Sequence, residues 1–190
     1  MKKVNVIENF RNGIFVASSR TYGEKIIEPI IRKILGLHES NTDENDAVND
    51  NGEFLELKAS KVLKATLKKK NLSLVERVLL ENDNDELSRL IKFDDCLESK
   101  YLSNIQNVKR DHFSELIYVL LFEDCIKIFK SNRKSISTIP NWCDKHGRYD
   151  AEGKSGQFGI TKNNIQWHLD RNLTHTLTWN EVYEISKDIL

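Results

Sequence analysis

The spacing of apolar side chains predicts a helix near the start of the chain. Isoleucines recur at helical spacing within residues 21–36, and Gly36 stands where a helix commonly ends. Thr21 and Glu24 have the spacing of a capping box. Because Pro29 falls inside this pattern, we expect the helix to be kinked there or to begin later.

Two further patterns follow. The stretch "NDAVNDNGEFLELKAS" places turn-forming residues before an alternating apolar segment, which predicts a hairpin over residues 45–59. Residues 60–112 contain neither Pro nor Gly and predict a helical insertion of two or more helices. Within that insertion, Ser73 and Glu76 repeat the capping-box spacing.

The second half of the chain predicts another hairpin and a final helix. Residues 115–131 combine an apolar strand, a tight turn and an alternating strand, as in a hairpin of the core. A glycine-rich loop leads to a predicted strand over residues 160–169, and Thr178 is the expected N-cap of the last helix. The pattern predicts one α/β (α+β) domain over residues 1–190, with a central mixed β-sheet flanked by helices.

Composition narrows the classes of function. The 190 residues contain 29 basic and 29 acidic side chains, so contact with nucleic acid would depend on local clusters of charge. The longest apolar runs are too short to cross a bilayer, and the N-terminus has no apolar signal region. We therefore expect a cytoplasmic protein that does not contact membranes.

The three cysteines do not predict a disulfide framework. Cys96, Cys125 and Cys143 are widely spaced and odd in number, so we expect them to be reduced and buried. Cys143 and His146 form a C-x-x-H pair, but no second pair at zinc-finger spacing accompanies it.

The first hairpin brings charged residues together. If Gly52 takes a left-handed conformation in a three-residue loop, Asn49 pairs with Glu53. Counting back from that pair places Asp46 opposite Glu56, and directly opposed Cβ atoms lie about 5 Å apart.

Alternation along the second strand adds a lysine to the two acids. Glu56 and Lys58 are two residues apart and point to the same face. Two carboxylates with water suit Mg²⁺, which assists phosphodiester hydrolysis by neutralising charge and activating water. Lys58 could orient or deprotonate that water, or stabilise the negative transition state. The alternative is that Asp46, Glu56 and Lys58 form an ordinary solvated strand face.

This stretch resembles the active-site hairpin of type II restriction endonucleases of the PD-(D/E)xK superfamily. The resemblance implies a restriction-endonuclease-like core in which Asp46 and Glu56 bind Mg²⁺, the Leu57 carbonyl is a further metal ligand and Lys58 is catalytic. The proline of the superfamily motif is absent before Asp46. Several members place an extra acid on the first long helix, where Glu24 is the candidate and Glu28 follows it, although Glu24 is equally explained as a helix cap.

Two polar regions are candidates for DNA contacts. A lysine-rich run leads away from the hairpin, and polar side chains follow the glycine-rich loop. The lysine run would bind phosphates, whereas the second region offers side chains with donors and acceptors that can read bases. Both regions are also explained as ordinary solvated faces. The predicted contacts are Lys61, Lys64 and Lys68 in the first region, and Lys162, Asn163, Asn164, Gln166 and His168 in the second.

These observations predict a Mg²⁺-dependent type II restriction endonuclease that cuts double-stranded DNA as a homodimer in a bacterial cytoplasm. Residues 132–190 would supply recognition and packing, and a cognate DNA methyltransferase would protect the host DNA. Two alternatives remain open. One is a repair or junction nuclease of the same fold that selects a DNA structure, and the other is a non-catalytic DNA-binding or protein-interaction module.

Overall fold

The chain forms a central mixed sheet flanked by helices, as the sequence pattern predicts. The sheet has six strands in the order β1-β2-β3-β5-β6-β8, and β4 and β7 form a separate two-stranded ribbon. The computed structural model describes residues 5–42, 45–65, 73, 75–76, 86–109, 111–145 and 155–189. The strands are β1 His38–Glu39, β2 Ala47–Val48, β3 Phe54–Lys61, β4 Ser103–Lys109, β5 Glu115–Leu121, β6 Cys125–Asn132, β7 Ser155–Ile160 and β8 Leu173–Thr178.

The sheet is mixed because one pair of strands is parallel. β3 and β5 run parallel, whereas the other neighbouring pairs are antiparallel. A parallel pair needs a long crossover, and the chain between β3 and β5 supplies it. All but the first residue of β5 are buried, which explains its continuous apolar sequence: both faces of the sheet are covered there.

Helices cover one face of the sheet. They are α1 Val6–Val16, the continuous helix formed by α2 Ser19–Tyr22 and α3 Glu28–Leu35 with a π-helical turn at Gly23–Ile27 between them, and the last helix, α5 Trp179–Ser186. Their apolar side chains, such as Phe15 and Trp179, pack with Leu57 and Val119 of the sheet. Burial of this apolar surface stabilises the layer.

The first long helix starts earlier than predicted. Its N-cap is Ser18, whose hydroxyl accepts from the Thr21 amide, so the predicted capping box at Thr21 and Glu24 is wrong. Pro29 is tolerated without a helix break because the wider π turn before it relieves the need for a regular i→i−4 bond. Gly36 ends the helix in the left-handed conformation (φ 63°), as predicted.

The ribbon and one helix cover the opposite face. This helix, α4 Ile165–Asn172, contributes Ile165 to a core that includes Ile105 of β4, Phe158 of β7, and Tyr118 of β5. The predicted strand over residues 160–169 is therefore wrong in most of its length. Ile165 and His168 are buried at helical rather than strand spacing.

The predicted helical insertion over residues 60–112 differs from the structure at most of the residues that are described. Residues 75–76 are helical, but the region also contains the end of β3, two 3-10 turns at Glu86–Arg89 and Asp94–Leu97, and β4. Ser73 and Glu76 do form the predicted reciprocal capping contacts.

The cysteines are free, and their burial follows the prediction in part. Cys96 and Cys125 are buried, but Cys143 is exposed, which corrects the expectation for that residue. His146, the second residue of the C-x-x-H pair, lies outside the described residues. Within the described ranges, none of the helices combines the length and apolar character needed to cross a bilayer.

Candidate active site

The β2–β3 hairpin forms the predicted three-residue loop. Gly52 has a φ of 77°, and its amide donates to the Asn49 carbonyl at 2.9 Å. The Asn49 amide donates to the Glu53 carbonyl at 3.0 Å, which closes the loop. Glycine adopts this left-handed conformation without a Cβ clash, so the turn residues fix the register of the strands. Ala47 consequently pairs with Leu55.

Asp46 lies just before β2, and its side-chain carboxylate, rather than a backbone carbonyl, accepts the next hydrogen bond from β3. The Asp46 amide still donates to the Leu55 carbonyl at 3.2 Å. Its carboxylate Oδ2 accepts a hydrogen bond from the Leu57 amide at 2.8 Å. A carboxylate bonded to a backbone N–H is held in one orientation. This contact therefore fixes Asp46 beside the strand that carries Glu56 and Lys58.

Three oxygen atoms converge on the Lys58 ammonium. Lys58 Nζ lies 3.0 Å from Asp46 Oδ2, 2.7 Å from Glu56 Oε1 and 2.9 Å from the Leu57 carbonyl oxygen. These oxygens belong to the three residues predicted to bind a metal. The structure thus brings Asp46, Glu56, Leu57 and Lys58 together around one positive charge.

The site is buried on one side and open on the other. The Glu56 side chain is 0% exposed, whereas those of Asp46 and Lys58 are 22% and 21% exposed. Burial raises the pKa of Glu56, and the neighbouring Lys58 offsets only part of that effect. Burial alone would lower the pKa of Lys58, but the charges of Glu56 and Asp46 outweigh it and raise that pKa. Lys58 therefore keeps its proton.

The donor set fits a hard divalent cation. Among the described residues, neither carboxylate oxygen of Glu56 accepts a well-directed hydrogen bond, although Oε1 forms the ion pair with Lys58. Buried charge without such bonds is costly unless a cation compensates it. Two carboxylates and a carbonyl are oxygen ligands of the kind that Mg²⁺ prefers. Within the same described part of the chain, no group of three or more acidic, histidine or cysteine side chains is arranged to hold a metal.

A further acid, Glu28, lies close enough to interact with the charges of Asp46 and Lys58. Burial raises its pKa to about 7, and the charge of Asp46 contributes in the same direction while Lys58 and Arg32 oppose it. Glu24, the predicted accessory acid, instead pairs with Arg20 at 3.0 Å near the surface. Glu24 lies within the π turn and Glu28 directly follows it, so the turn changes the helical phase between the two acids. That turn has no clear signal in the sequence.

The lysines predicted to contact DNA lie in different environments. Lys61 points inward, where its ammonium donates to the carbonyls of Phe15 and Ala17 and to Glu86 at 2.5, 2.8 and 2.6 Å. It stabilises the end of α1, so its prediction as a phosphate contact is wrong. Lys64 is exposed, and Lys68 lies outside the described residues.

The second predicted contact region divides into exposed and buried side chains. Lys162, Asn163 and Gln166 are exposed. Asn164 is buried, accepting from the Thr161 amide and donating to the Gly159 carbonyl. His168 is fully buried, and its Nδ1 lies 2.8 Å from the Tyr118 hydroxyl. Asn164 and His168 therefore serve the core, and their prediction as base contacts is wrong.

Comparison with known proteins assigns the chain to no family. No protein-family model and no curated protein matches the chain.

Proposed function

We propose that this chain is a Mg²⁺-dependent endonuclease that hydrolyses phosphodiester bonds of double-stranded DNA at a short specific sequence. The observation that carries the proposal is the convergence of oxygens from Asp46, Glu56 and Leu57 around the Lys58 ammonium. The resemblance of residues 45–60 to the active-site hairpin of PD-(D/E)xK restriction endonucleases supports the same reaction.

Each residue has a separate task in this reaction. Asp46, Glu56 and the Leu57 carbonyl would hold Mg²⁺, which when bound neutralises phosphate charge and makes water a better nucleophile. The Leu57 amide keeps the Asp46 carboxylate in place. Lys58 lies beside these ligands and would orient or deprotonate the attacking water, or stabilise the negative transition state.

The biological setting belongs to the same proposal. A homodimer would place one site at each strand of a DNA palindrome, because the two strands are antiparallel and related by twofold symmetry. Such an enzyme would act in a bacterial cytoplasm, and a methyltransferase of the same specificity would protect the host DNA.

Digestion of long, unmethylated DNA of diverse sequence tests the activity. With Mg²⁺ we expect discrete fragments that disappear in EDTA and with the Lys58→Ala variant. Lys33→Ala removes an exposed lysine on α3 and should keep the fragments. A smear, or cleavage restricted to branched DNA, would favour the structure-selective nuclease. Absence of cleavage in every condition would overturn the proposal and favour a binding module.

A further inference from the structure

The β4–β7 ribbon has a buried face and a polar outer face. Ser103, Ile105 and Val108 of β4 point inward and are buried. Asn104, Gln106 and Asn107 of the same strand are exposed. Within residues 104–107, every outward side chain is therefore an uncharged amide.

A bulge sets the positions of two of these amides. Pairing shifts between Ile105, which faces Phe158, and Val108, which faces Gly156. Gln106 and Asn107 consequently stand opposite a single residue of β7, and Asn107 has a φ of 55°. A bulge of this kind increases the local twist and redirects side chains. Both amides are thereby presented on the outer face.

Other amide side chains in and near the ribbon form hydrogen bonds that stabilise the fold. Gln157 donates to the Lys145 carbonyl, and Asn141 donates to the Gly159 carbonyl. In the described part of the chain, the side chains of Asn104, Gln106 and Asn107 form no hydrogen bond. Opposite Asn104 lies Gly159, where an added Cβ would be 3.1 Å from Leu102 Cδ1 and 3.4 Å from Asn104 Oδ1. The exposed side chains of Leu102 and Asn104 therefore lie over this glycine.

One end of β4 lies near the candidate active site. At one end, Lys64 after β3 pairs with Tyr101 before β4 in an antiparallel bridge. At the other end, the charge of Lys109 acts on Glu56. The strand β4 therefore runs back along β3, and its exposed amides lie between these two points.

We propose that the outer face of the β4–β7 ribbon reads base edges in the major groove, with Asn104, Gln106 and Asn107 selecting adenine. This inference rests on the proposed function. A two-stranded ribbon fits the major groove, and an amide offers the donor and acceptor that match adenine N7 and N6. An uncharged amide neutralises no phosphate and releases no counterion, so we expect its loss to change sequence preference more than the salt dependence of binding.

Selection of bound sequences from a random duplex library tests the inference without requiring cleavage. The Lys58→Ala chain should enrich one sequence that contains A·T pairs, and the wild-type chain in EDTA should enrich the same one. Alanine at Asn104, Gln106 or Asn107 should each relax one A·T position by about tenfold to a hundredfold. Asn180→Ala removes an exposed amide on α5 and should leave the selected sequence unchanged.

A modified base identifies the contacted atom. Replacing the selected adenine with 7-deazaadenine keeps Watson–Crick pairing but removes the N7 acceptor. We expect binding by the chain with intact ribbon amides to weaken about tenfold, and binding by the matching alanine variant to be insensitive. Equal sensitivity in both proteins would show that the amide does not contact N7 and would overturn the inference.

The outcomes separate this inference from the proposed nuclease activity. If the wild-type chain never cleaves DNA but selects a sequence that the ribbon variants lose, the nuclease proposal fails and the ribbon inference stands. If discrete cleavage occurs and the ribbon variants keep the same sequence, only the ribbon inference fails. A change of preference in Asn163→Ala or Gln166→Ala, with none in the ribbon variants, would assign base reading to the region of α4 instead.

Discussion

Lys58 Nζ and a divalent cation would compete for the same oxygen atoms. The ammonium contacts Asp46, Glu56 and the Leu57 carbonyl within 3.0 Å. A lysine side chain is flexible and can carry its charge elsewhere, whereas the carboxylates are fixed by the hairpin. Cation binding must therefore include the free energy of displacing Lys58 from these contacts.

Replacing Lys58 with methionine should increase Mg²⁺ affinity while abolishing cleavage. The change removes the competing positive charge and leaves both acids, so we expect the dissociation constant to fall by about tenfold or more. Titration calorimetry measures this constant, with Lys33→Met as the matched control. Asp46→Asn should weaken binding. Equal or weaker Mg²⁺ binding by Lys58→Met would show that Lys58 Nζ and Mg²⁺ do not compete for the same oxygen atoms.

His168 is held neutral in the core. The Asn172 amide nitrogen donates to the Tyr118 hydroxyl oxygen at 2.8 Å. The hydroxyl hydrogen is then directed to His168 Nδ1, which accepts it only in the neutral ring. Burial lowers the pKa of His168 to about 4. Protonation of this histidine therefore opposes folding.

Stability should consequently depend on pH through His168. Between its ordinary pKa of 6.5 and about 4, the unfolded chain binds a proton that the folded chain does not. Stability is lost as pH falls through this window, by about 3 kcal/mol, and no loss from this group occurs above it. Urea unfolding at several pH values should show this slope in the wild type and not in His168→Gln. The exposed His175 provides a control, since His175→Gln should keep the slope.

At the scale of elements, the features predicted from sequence are those set by neighbouring residues. The Gly52 turn, the helix end at Gly36 and the cap at Thr178 each depend on a few adjacent side chains. The core hairpin also follows from local alternation, and β5 and β6 form it. Among these features, the Gly52 turn fixes the register that brings Asp46 to Glu56.

The features that sequence did not predict depend on distant contacts. Ile165 and Trp167 are two residues apart and suggest a strand, but tertiary packing selects the helical spacing of Ile165 and His168. The edge strand β8 is mostly exposed and lacks an apolar alternation. The position of Glu28 depends on the π turn and on the packing of its helix against the sheet.

Lys61 links β3 to α1, and its loss should destabilise the domain. Its ammonium satisfies two carbonyls at the end of α1 and pairs with Glu86. Lys61→Met removes a buried partner, so we expect a loss of about 3 kcal/mol in the free energy of unfolding. Urea denaturation measures it, with Lys33→Met as a near-neutral control. If Lys61→Met were as stable as that control but bound DNA less tightly, the original assignment to phosphate binding would be restored.

At the scale of the whole molecule, one chain supplies one candidate site, whereas a duplex has two strands to cut. The sheet separates a helical layer from the layer that carries the ribbon and α4. The candidate site lies on β3 next to the ribbon layer, so cleavage and base reading would address the same side of the molecule. Two copies related by a twofold axis would present both functions to both strands of a palindrome.

Mixed assemblies should test this arrangement directly. Light scattering should first give a mass twice the 22.1 kDa of the chain. On a supercoiled plasmid with a single cleavage site, the wild type should produce linear DNA. Chains co-expressed with an excess of Lys58→Ala should produce nicked circles, because each mixed dimer has one functional site. An excess of Lys33→Ala chains should still give linear DNA. Linear product at an undiminished rate from Lys58→Ala mixtures would mean that one site cuts both strands, and the twofold arrangement would be wrong.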